Sequence, residues 1–128
     1  MNLVRIVSPL FVLVALSANG QYVEKGIQDG IAVAYRWKHS IGAPSQLLLR
    51  MENTTTEDKH VDLVIDLYYQ GLTVETLRAD TCIRAGQVLN GKVNGIYFIP
   101  ERLTTEQIKS GDALAEWTNT TIEPALCP

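Results

Sequence analysis

The chain is poor in the side chains that catalysis and metal binding use most often. Its 128 residues include two histidines and two cysteines. The sequence contains no G-x-S-x-G, H-E-x-x-H, P-loop or G-x-G-x-x-G motif. It also lacks the run of lysine and arginine that nucleic-acid binding requires, and its formal net charge is −3. These absences argue against a nucleic-acid-binding protein, and we expect neither a cofactor nor an enzyme.

The first residues match a secretory signal peptide. Arg5 supplies a short basic region, residues 11–16 are apolar, and residues 18–20 (Ala-Asn-Gly) offer a cleavage site. A membrane span needs about 20 apolar residues, and Pro9 and Ser17 interrupt this stretch. A buried N-terminal strand is the alternative interpretation.

We therefore predict a signal peptide over residues 1–20 and a single mature domain over residues 21–128. Arg5 is the one charged residue of the leader, which leaves ten Lys and Arg against 14 Asp and Glu, a net charge of −4. A chain of this size forms one domain with a modest core. We expect a secreted or periplasmic protein whose mature chain has no membrane span.

The two cysteines, Cys82 and Cys127, predict a disulfide, because an even number in a secreted chain is typical of one. Closing this loop would stabilise the fold by about 4 kcal/mol in the chain-entropy model. Cys127 is the penultimate residue, so the bond would fix the C-terminal tail to the body. A redox or catalytic cysteine is the alternative, but neither residue has a CxxC partner or a nearby histidine.

Apolar and polar residues alternate with a period of two along most of the mature chain, which predicts half-buried β-strands. The segments with this pattern are 31–37, 47–52 and 61–69, followed by the less regular 72–83, 87–99 and 113–122. With turn signals between them, they predict an all-β fold, an antiparallel immunoglobulin-like β-sandwich of about seven strands. We interpret Asn90-Gly91 as a bulge within a longer strand, with a hairpin turn as the alternative.

One short helical turn is predicted near residues 104–110. Thr104 and Gln107 fit a capping box, and Leu103 and Ile108 fit a hydrophobic staple around the same turn.

His60, Asp62 and Asp66 are the one cluster that suggests a site. A strand rises about 3.3 Å per residue, which places the two carboxylates about 13 Å apart, whereas paired glycosidase carboxyls lie about 5 to 9.5 Å apart. His60 and Asp62 alone do not make a zinc site, which usually needs at least three protein ligands. The other histidine, His39, lies in a different segment, and the adjacent Ser40 points to the opposite face. We interpret the trio as the solvated face of a strand and predict no metal-binding or catalytic residue.

Tyr68 and Tyr97 are the candidate ligand-contact residues, because they alternate with core positions. Exposed aromatic side chains on a sheet stack on sugars or anchor protein interfaces, and ordinary cross-strand packing is the alternative. Asn53 and Asn119 each begin an Asn-Thr-Thr tripeptide, the pattern of N-glycosylation. The sequence leaves open whether either is used.

The order VDLVIDLYYQGLTVE, CIRAGQ and GIYF resembles the immunoglobulin-like and fibronectin-III-like sandwich modules of secreted bacterial proteins. The resemblance covers roughly residues 45–99 and implies a fold, but it carries over no functional residue. Trp117 lies close to Cys127, whereas the buried tryptophan of antibody-type domains follows soon after the first cysteine. The disulfide therefore need not be the usual pin between sheets.

The leading hypothesis is a secreted or periplasmic, non-catalytic binding module. Its partner is expected at the cell surface or outside the cell, and a protein is favoured over a glycan because sheet edges and one aromatic-bearing face are the evident recognition surfaces. A carbohydrate-binding module that uses the exposed tyrosines is one alternative. A small hydrolase or metal-dependent enzyme with a site assembled from loops is another.

Overall fold

The computed structural model describes residues 22–128, which form two packed antiparallel β-sheets. The strands are β1 (Val23–Gln28), β2 (Ile31–Lys38), β3 (Gln46–Asn53), β4 (Lys59–Tyr69), β5 (Leu72–Ile83), β6 (Val88–Asn90), β7 (Tyr97–Phe98) and β8 (Ala113–Pro124), and the helices are α1 (Gly91–Asn94) and α2 (Thr105–Lys109). The all-β class is confirmed, with eight strands in place of about seven. The predicted signal peptide lies outside the described residues. No helix among residues 22–128 has the length and apolar character to cross a membrane.

The two sheets differ in size. The five-stranded sheet has the order β1-β2-β3-β6, and β7 also pairs with β3. The three-stranded sheet has the order β5-β4-β8, so the 11-residue β4 is its central strand. The chain passes from the first sheet to the second between β3 and β4, returns after β5, and crosses again before β8. The immunoglobulin-like topology itself stays a prediction.

The core lies between the sheets and follows the predicted alternation. The apolar side chains of β3 and β4 that face inward, Leu47, Leu49, Met51, Val61, Leu63, Ile65 and Leu67, are all 0% exposed. Burying one such side chain stabilises a fold by about 1.5 to 3 kcal/mol. The polar positions between them on β4 are half-buried and face outward. The alternation of buried and outward-facing positions predicted for β4 is confirmed.

The outer face of the five-stranded sheet is partly covered, which the alternation alone does not predict. Leu48 and Ala34 lie on that face and are only 3% and 1% exposed. Gly91 approaches Leu48 closely, since a Cβ atom added to it would lie 3.1 Å from Leu48 Cβ and 3.3 Å from Tyr22 Oη. The bulge predicted at Asn90-Gly91 is wrong, because Gly91 begins α1 and lets this helix pack on the sheet.

The predicted helical turn is confirmed as α2. Thr104 Oγ1 accepts a hydrogen bond from the backbone of Gln107, and the Gln107 side chain accepts one from the backbone of Thr104. Leu103 and Ile108 are 7% and 6% exposed and join the core. This helix precedes β8 and carries the chain back to the three-stranded sheet.

The disulfide between Cys82 and Cys127 is formed, with a Cα–Cα distance of 5.6 Å. Cys82 is on β5, and Cys127 follows β8, so the bond joins the two outer strands of one sheet across the start of β4. Asp58 supports the same crossing, because its carboxylate accepts hydrogen bonds from the backbone of Ala85 at 3.0 Å and of Cys127 at 3.1 Å. These two bonds hold the pKa of Asp58 below its ordinary value. The C-terminal tail is therefore fixed to the body by a covalent bond and by hydrogen bonds, which include one from the Arg84 guanidinium to the carbonyl oxygen of Pro128.

Candidate functional site

His60, Asp62 and Asp66 lie on the outer face of β4, and each has a partner on β5. Arg78 donates to Asp62 through Nε at 2.9 Å and through Nη2 at 2.6 Å. Thr76 donates to Asp66 at 2.8 Å, and His60 Nε2 contacts a carboxylate oxygen of Asp80. The three side chains thus face the neighbouring strand and do not contact one another. No group of three or more His, Cys, Asp or Glu within residues 22–128 has the geometry to hold a metal ion.

The outer face of the three-stranded sheet is acidic. By strand register its carboxylates are Asp62, Asp66, Asp80, Glu116 and Glu123, against the cation of Arg78. The side-chain hydrogen bond from Arg78 holds the pKa of Asp62 below its ordinary value, and the same bond raises the pKa of Arg78. Exposed pairs of this kind are screened by solvent and add little to the stability of the fold. They order the face without making it a reaction centre.

Tyr68 and Tyr97 lie on opposite sides of the molecule. Tyr68 is on β4, on the outer face of the three-stranded sheet. Tyr97 is on β7 and lies opposite Leu48, on the outer face of the five-stranded sheet. The Lys92 ammonium lies 5.3 Å from the centre of the Tyr97 ring. The structure does not bring the two tyrosines together, so they do not form one stacking platform.

The two Asn-Thr-Thr tripeptides have different environments. Asn53 is 0% exposed, and its amide nitrogen donates to the carbonyl oxygens of Glu57 at 2.8 Å and Ile83 at 3.0 Å. Its Oδ1 accepts bonds from the backbone and the hydroxyl of Thr55. Asn119 is exposed on β8. In the folded protein the Asn53 amide is occupied by hydrogen bonds, whereas that of Asn119 faces solvent.

His39 contacts Ser45, a pairing that the sequence interpretation missed. The Nδ1 atom of His39 lies 2.6 Å from Ser45 Oγ, across the base of the loop between β2 and β3. The hairpin register explains the pairing. Lys38 pairs with Gln46, so the next residues toward the loop, His39 and Ser45, meet across its base.

The surroundings of the His39–Ser45 pair favour a role in stabilising the loop over a role in catalysis. Ser45 is 2% exposed, and its backbone donates to Thr105 Oγ1 at 3.3 Å. Burial, and then the charge of Lys109, lower the pKa of His39 and favour its neutral form. A buried hydroxyl bonded to a neutral imidazole closes the loop and links it to α2, but it gives a substrate little access to the oxygen.

The β1/β8 seam is the groove between β1 and β8, where the two sheets are open at one side. Its walls are Lys25–Gln28 and Glu116–Thr120, with Ile31, Val33 and Ile122 also in its lining, and its volume is about 490 Å³. β1 is exposed along its whole length, and Ile27 is 68% exposed. The seam thus combines an exposed strand edge with a mixed lining, in which polar side chains surround the apolar Ile27, Trp117 and Ile122.

Trp117 occupies the centre of the seam. Its ring lies 5.4 Å from that of Tyr35, and the Lys25 ammonium lies 5.3 Å from the Trp117 ring centre and 5.6 Å from the Tyr35 ring centre. Gln28 Nε2 crosses the seam to the carbonyl oxygen of Thr120 at 3.1 Å. The indole Nε1 of Trp117 is buried and has no hydrogen-bond partner among the described residues. Few buried donors in native proteins lack a partner, so this one calls for a physical explanation.

No protein-family model, curated protein or solved structure matches this chain. Its function is therefore argued from its own geometry.

Proposed function

We propose that this protein is a secreted or periplasmic, non-catalytic β-sandwich module that binds an extended segment of a protein partner in the β1/β8 seam. The observation that carries the proposal is the Trp117 indole N–H, a buried donor without an acceptor among residues 22–128, on a side chain that lines a groove bordered by two edge strands. An unsatisfied buried donor costs a fold about 1 to 3 kcal/mol. A partner that supplies an acceptor recovers this free energy on binding.

An extended peptide has the chemistry that the seam lacks. Its backbone offers a carbonyl acceptor at every residue, and alternate side chains can face the apolar side chains of the lining, Ile27, Trp117 and Ile122. Lys25 covers the Trp117 ring, and Gln28 closes the seam farther along, so a bound segment displaces both side chains. Loss of the cation–aromatic contact costs about 0.5 to 1 kcal/mol at an exposed site. Recovery of the indole hydrogen bond and burial of Ile27 offset this cost.

The compartment is supported by two observations. Disulfides persist in oxidising environments such as the periplasm and the cell exterior, and the Cys82–Cys127 bond is formed. The pattern of residues 1–20 matches a signal peptide. The partner is accordingly sought among proteins of the cell surface or the extracellular medium.

A non-catalytic role is favoured by the state of the polar groups. The Ser45 hydroxyl is buried against His39, and His60 faces Asp80 on the exposed sheet. Sugar binding through both tyrosines is disfavoured by their positions on opposite faces.

A photo-crosslinking amino acid at Thr118, inside the seam, tests the proposal. The mature protein is irradiated in the extracellular or periplasmic fraction of its native source, and the same amino acid at the fully exposed Ile41, on a distant loop, is the positional control. We expect a discrete adduct from Thr118 that is not formed from Ile41. Trp117→Phe keeps a ring but removes the N–H, and we expect it to lower the adduct yield about fivefold, the equivalent of one hydrogen bond. Trp37→Phe, the same change at the other tryptophan, should leave the yield unaltered.

Three results would contradict the proposal. Equal adducts from Thr118 and Ile41 would show that the seam is not selective. A full yield from Trp117→Phe would remove the role of the indole. Turnover by the purified protein of any member of a hydrolase substrate panel would overturn the non-catalytic assignment. Retention on an insoluble glycan that is lost in Tyr97→Ala would favour the carbohydrate alternative instead.

A further inference from the structure

We propose that the chain forms a two-fold dimer in which the β5 edges of two copies pair antiparallel about Ala79. β5 has 12 residues and is an outer strand of its sheet. Within residues 22–128, no backbone hydrogen bond joins its Thr76–Cys82 stretch to a segment other than β4. One side of this stretch therefore presents free N–H and C=O groups, which form a template for another strand.

The other sheet edges carry features that oppose such pairing. β1 shifts its register between Glu24 and Gly26, and β8 shifts its register opposite Val64 and Ile65 of β4. β6 and β7 have only three and two residues. Bulges and short strands are devices that protect edges from continuous strand pairing, and the segment proposed for the β1/β8 seam binds through the Trp117 indole and apolar side chains without adding a strand to either edge. The one shift in β5 lies opposite Tyr68, near its start, and leaves the rest of the strand regular.

The sequence of β5 is complementary to itself in charge. When Ala79 lies opposite Ala79 of the second copy, Arg78 lies opposite Asp80 of the second copy, and symmetry forms this pair twice. Arg78 and Asp80 are both exposed and face outward, whereas Leu77 and Ala79 are buried and face inward. A two-fold axis perpendicular to the sheet requires paired residues to share a face, and this register meets the requirement. Side chains directly opposite in an antiparallel pair have Cβ atoms about 4.5 to 5.5 Å apart.

The pairs also extend a network that each copy already contains. Arg78 bonds to Asp62 in its own copy, and Asp80 contacts His60 in its own copy. The dimer aligns them as Asp62, Arg78, then Asp80 and His60 of the second copy. β8, the opposite edge of this sheet, contains no lysine or arginine. No register of β8 against itself therefore pairs opposite charges.

Sedimentation velocity of the full mature protein over a range of concentrations tests the proposal. We expect a monomer–dimer equilibrium that weakens as salt is added, since the new pairs are exposed. Asp80→Arg places two arginines opposite each other at both symmetric positions, and we expect the dimer to weaken at least about tenfold. Glu123→Arg makes the same charge change on β8 and should leave the dimer intact.

Complementation gives the sharper readout. Arg78→Asp alone places two aspartates opposite each other at both positions, so it should also be monomeric. An equimolar mixture of Arg78→Asp and Asp80→Arg restores two opposite-charge pairs, and we expect a heterodimer of near wild-type affinity. Far-UV circular dichroism checks that each variant folds. Arg78→Asp also loses its bond to Asp62, so Asp80→Arg, which puts a cation opposite Asp62, carries the test by itself if the first variant does not fold.

The proposal is overturned if the wild-type protein stays monomeric up to a concentration of about 1 mM, because a dissociation constant above that value is too weak for specific pairing. An Asp80→Arg variant that dimerises as well as the wild type also overturns it. Failure of the two folded variants to combine would show that another surface joins the copies. None of these measurements depends on the β1/β8 seam, so they are independent of the proposed partner site.

Discussion

The backbone nitrogen of Cys127 lies 3.1 Å from Oδ2 of Asp58, so the residue that forms the disulfide is also held by a carboxylate at the start of β4. The backbone of Ala125 donates to the carbonyl oxygen of Asp58 as well. One residue thus organises the whole crossing of the tail from β8 to β5. This arrangement makes the C-terminal tail sensitive to acid.

We expect Asp58→Asn to lower the free energy of unfolding at neutral pH. The folded-state pKa of Asp58 is depressed, because its carboxylate accepts bonds from Ala85 and Cys127. A depressed carboxyl pKa gives stability that is present above the unfolded value of 3.8 and is lost as the pH falls through the lower folded value. Urea titrations of both proteins between about pH 7 and pH 2 measure this. Their difference should be constant at neutral pH and shrink in acid.

The matched control for that variant is Asp29→Asn, in the exposed turn between β1 and β2. Asp29 has a φ of 48°, a conformation that asparagine also tolerates. Its substitution removes the same charge far from the crossing of the tail, so at neutral pH it should not reproduce the loss of stability expected of Asp58→Asn. A gap between wild type and Asp58→Asn that stays the same below pH 3.8 would contradict the assigned role.

Removing the disulfide tests how much the covalent bond adds to the carboxylate. Cys82 and Cys127 are separated by 45 positions, and a loop of that length predicts a loss of about 4 kcal/mol from the free energy of unfolding when both are changed to serine. Urea unfolding of the double variant measures this, and the reduced wild type should give a similar value. A loss below about 1 kcal/mol would mean that the unfolded chain is already restricted.

Asn53 and Asn119 begin identical tripeptides and should respond to alanine in opposite ways. Asn53→Ala leaves the buried carbonyl oxygen of Ile83 without its donor, and it leaves the carbonyl oxygen of Glu57 with the Thr55 hydroxyl alone. We expect it to lower the free energy of unfolding by about 2 to 4 kcal/mol. Asn119→Ala, at an exposed position, should change it by less than about 0.5 kcal/mol. Thermal or urea unfolding distinguishes the two, and equal effects would contradict the hydrogen-bond assignment of Asn53.

The sequence predicts the strands because their burial follows a simple period. The 0% exposure of Val61, Leu63, Ile65 and Leu67 is what the alternation of β4 requires. The capping residues of α2 were predictable for a similar reason, since a capping box is local in sequence. Properties set by neighbours along the chain are therefore accessible without coordinates.

The properties that escaped prediction depend on residues far apart in the chain. The burial of Leu48 depends on Gly91, and the β1/β8 seam depends on Lys25 meeting Trp117. The alternation of segment 47–52 puts Leu48 on the face opposite Leu47 and Leu49, which is correct, but it does not show what covers Leu48. The faces of Tyr68 and Tyr97 likewise required the sheet to which each strand belongs, and the sequence does not specify that pairing.

The loop between β2 and β3 should lose stability as the solution becomes mildly acidic. Burial, and then Lys109, lower the pKa of His39 below the ordinary value of 6.5. The unfolded chain therefore binds a proton there before the folded protein does, so the free energy of unfolding falls as the pH drops through 6.5 toward the lower folded value. His39→Gln removes the titrating imidazole. The difference in the free energy of unfolding between wild type and variant, measured in urea, should therefore narrow from about pH 7.5 to pH 5.

Lys109→Met makes the cause of that pH dependence separable. It removes the smaller contribution to the lowered pKa of His39 and leaves the contribution of desolvation, so the fall in stability should become shallower without disappearing.

Ser45→Ala removes the hydroxyl that lies 2.6 Å from His39 Nδ1 and should lower the free energy of unfolding at pH 7.5 by about 1 kcal/mol. If the gap in the free energy of unfolding between wild type and His39→Gln stayed constant across this range, His39 would titrate alike in both states, and its partial desolvation would have no energetic consequence. If the gap widened in acid, the imidazole would be held in its charged form, the reverse of what its surroundings favour.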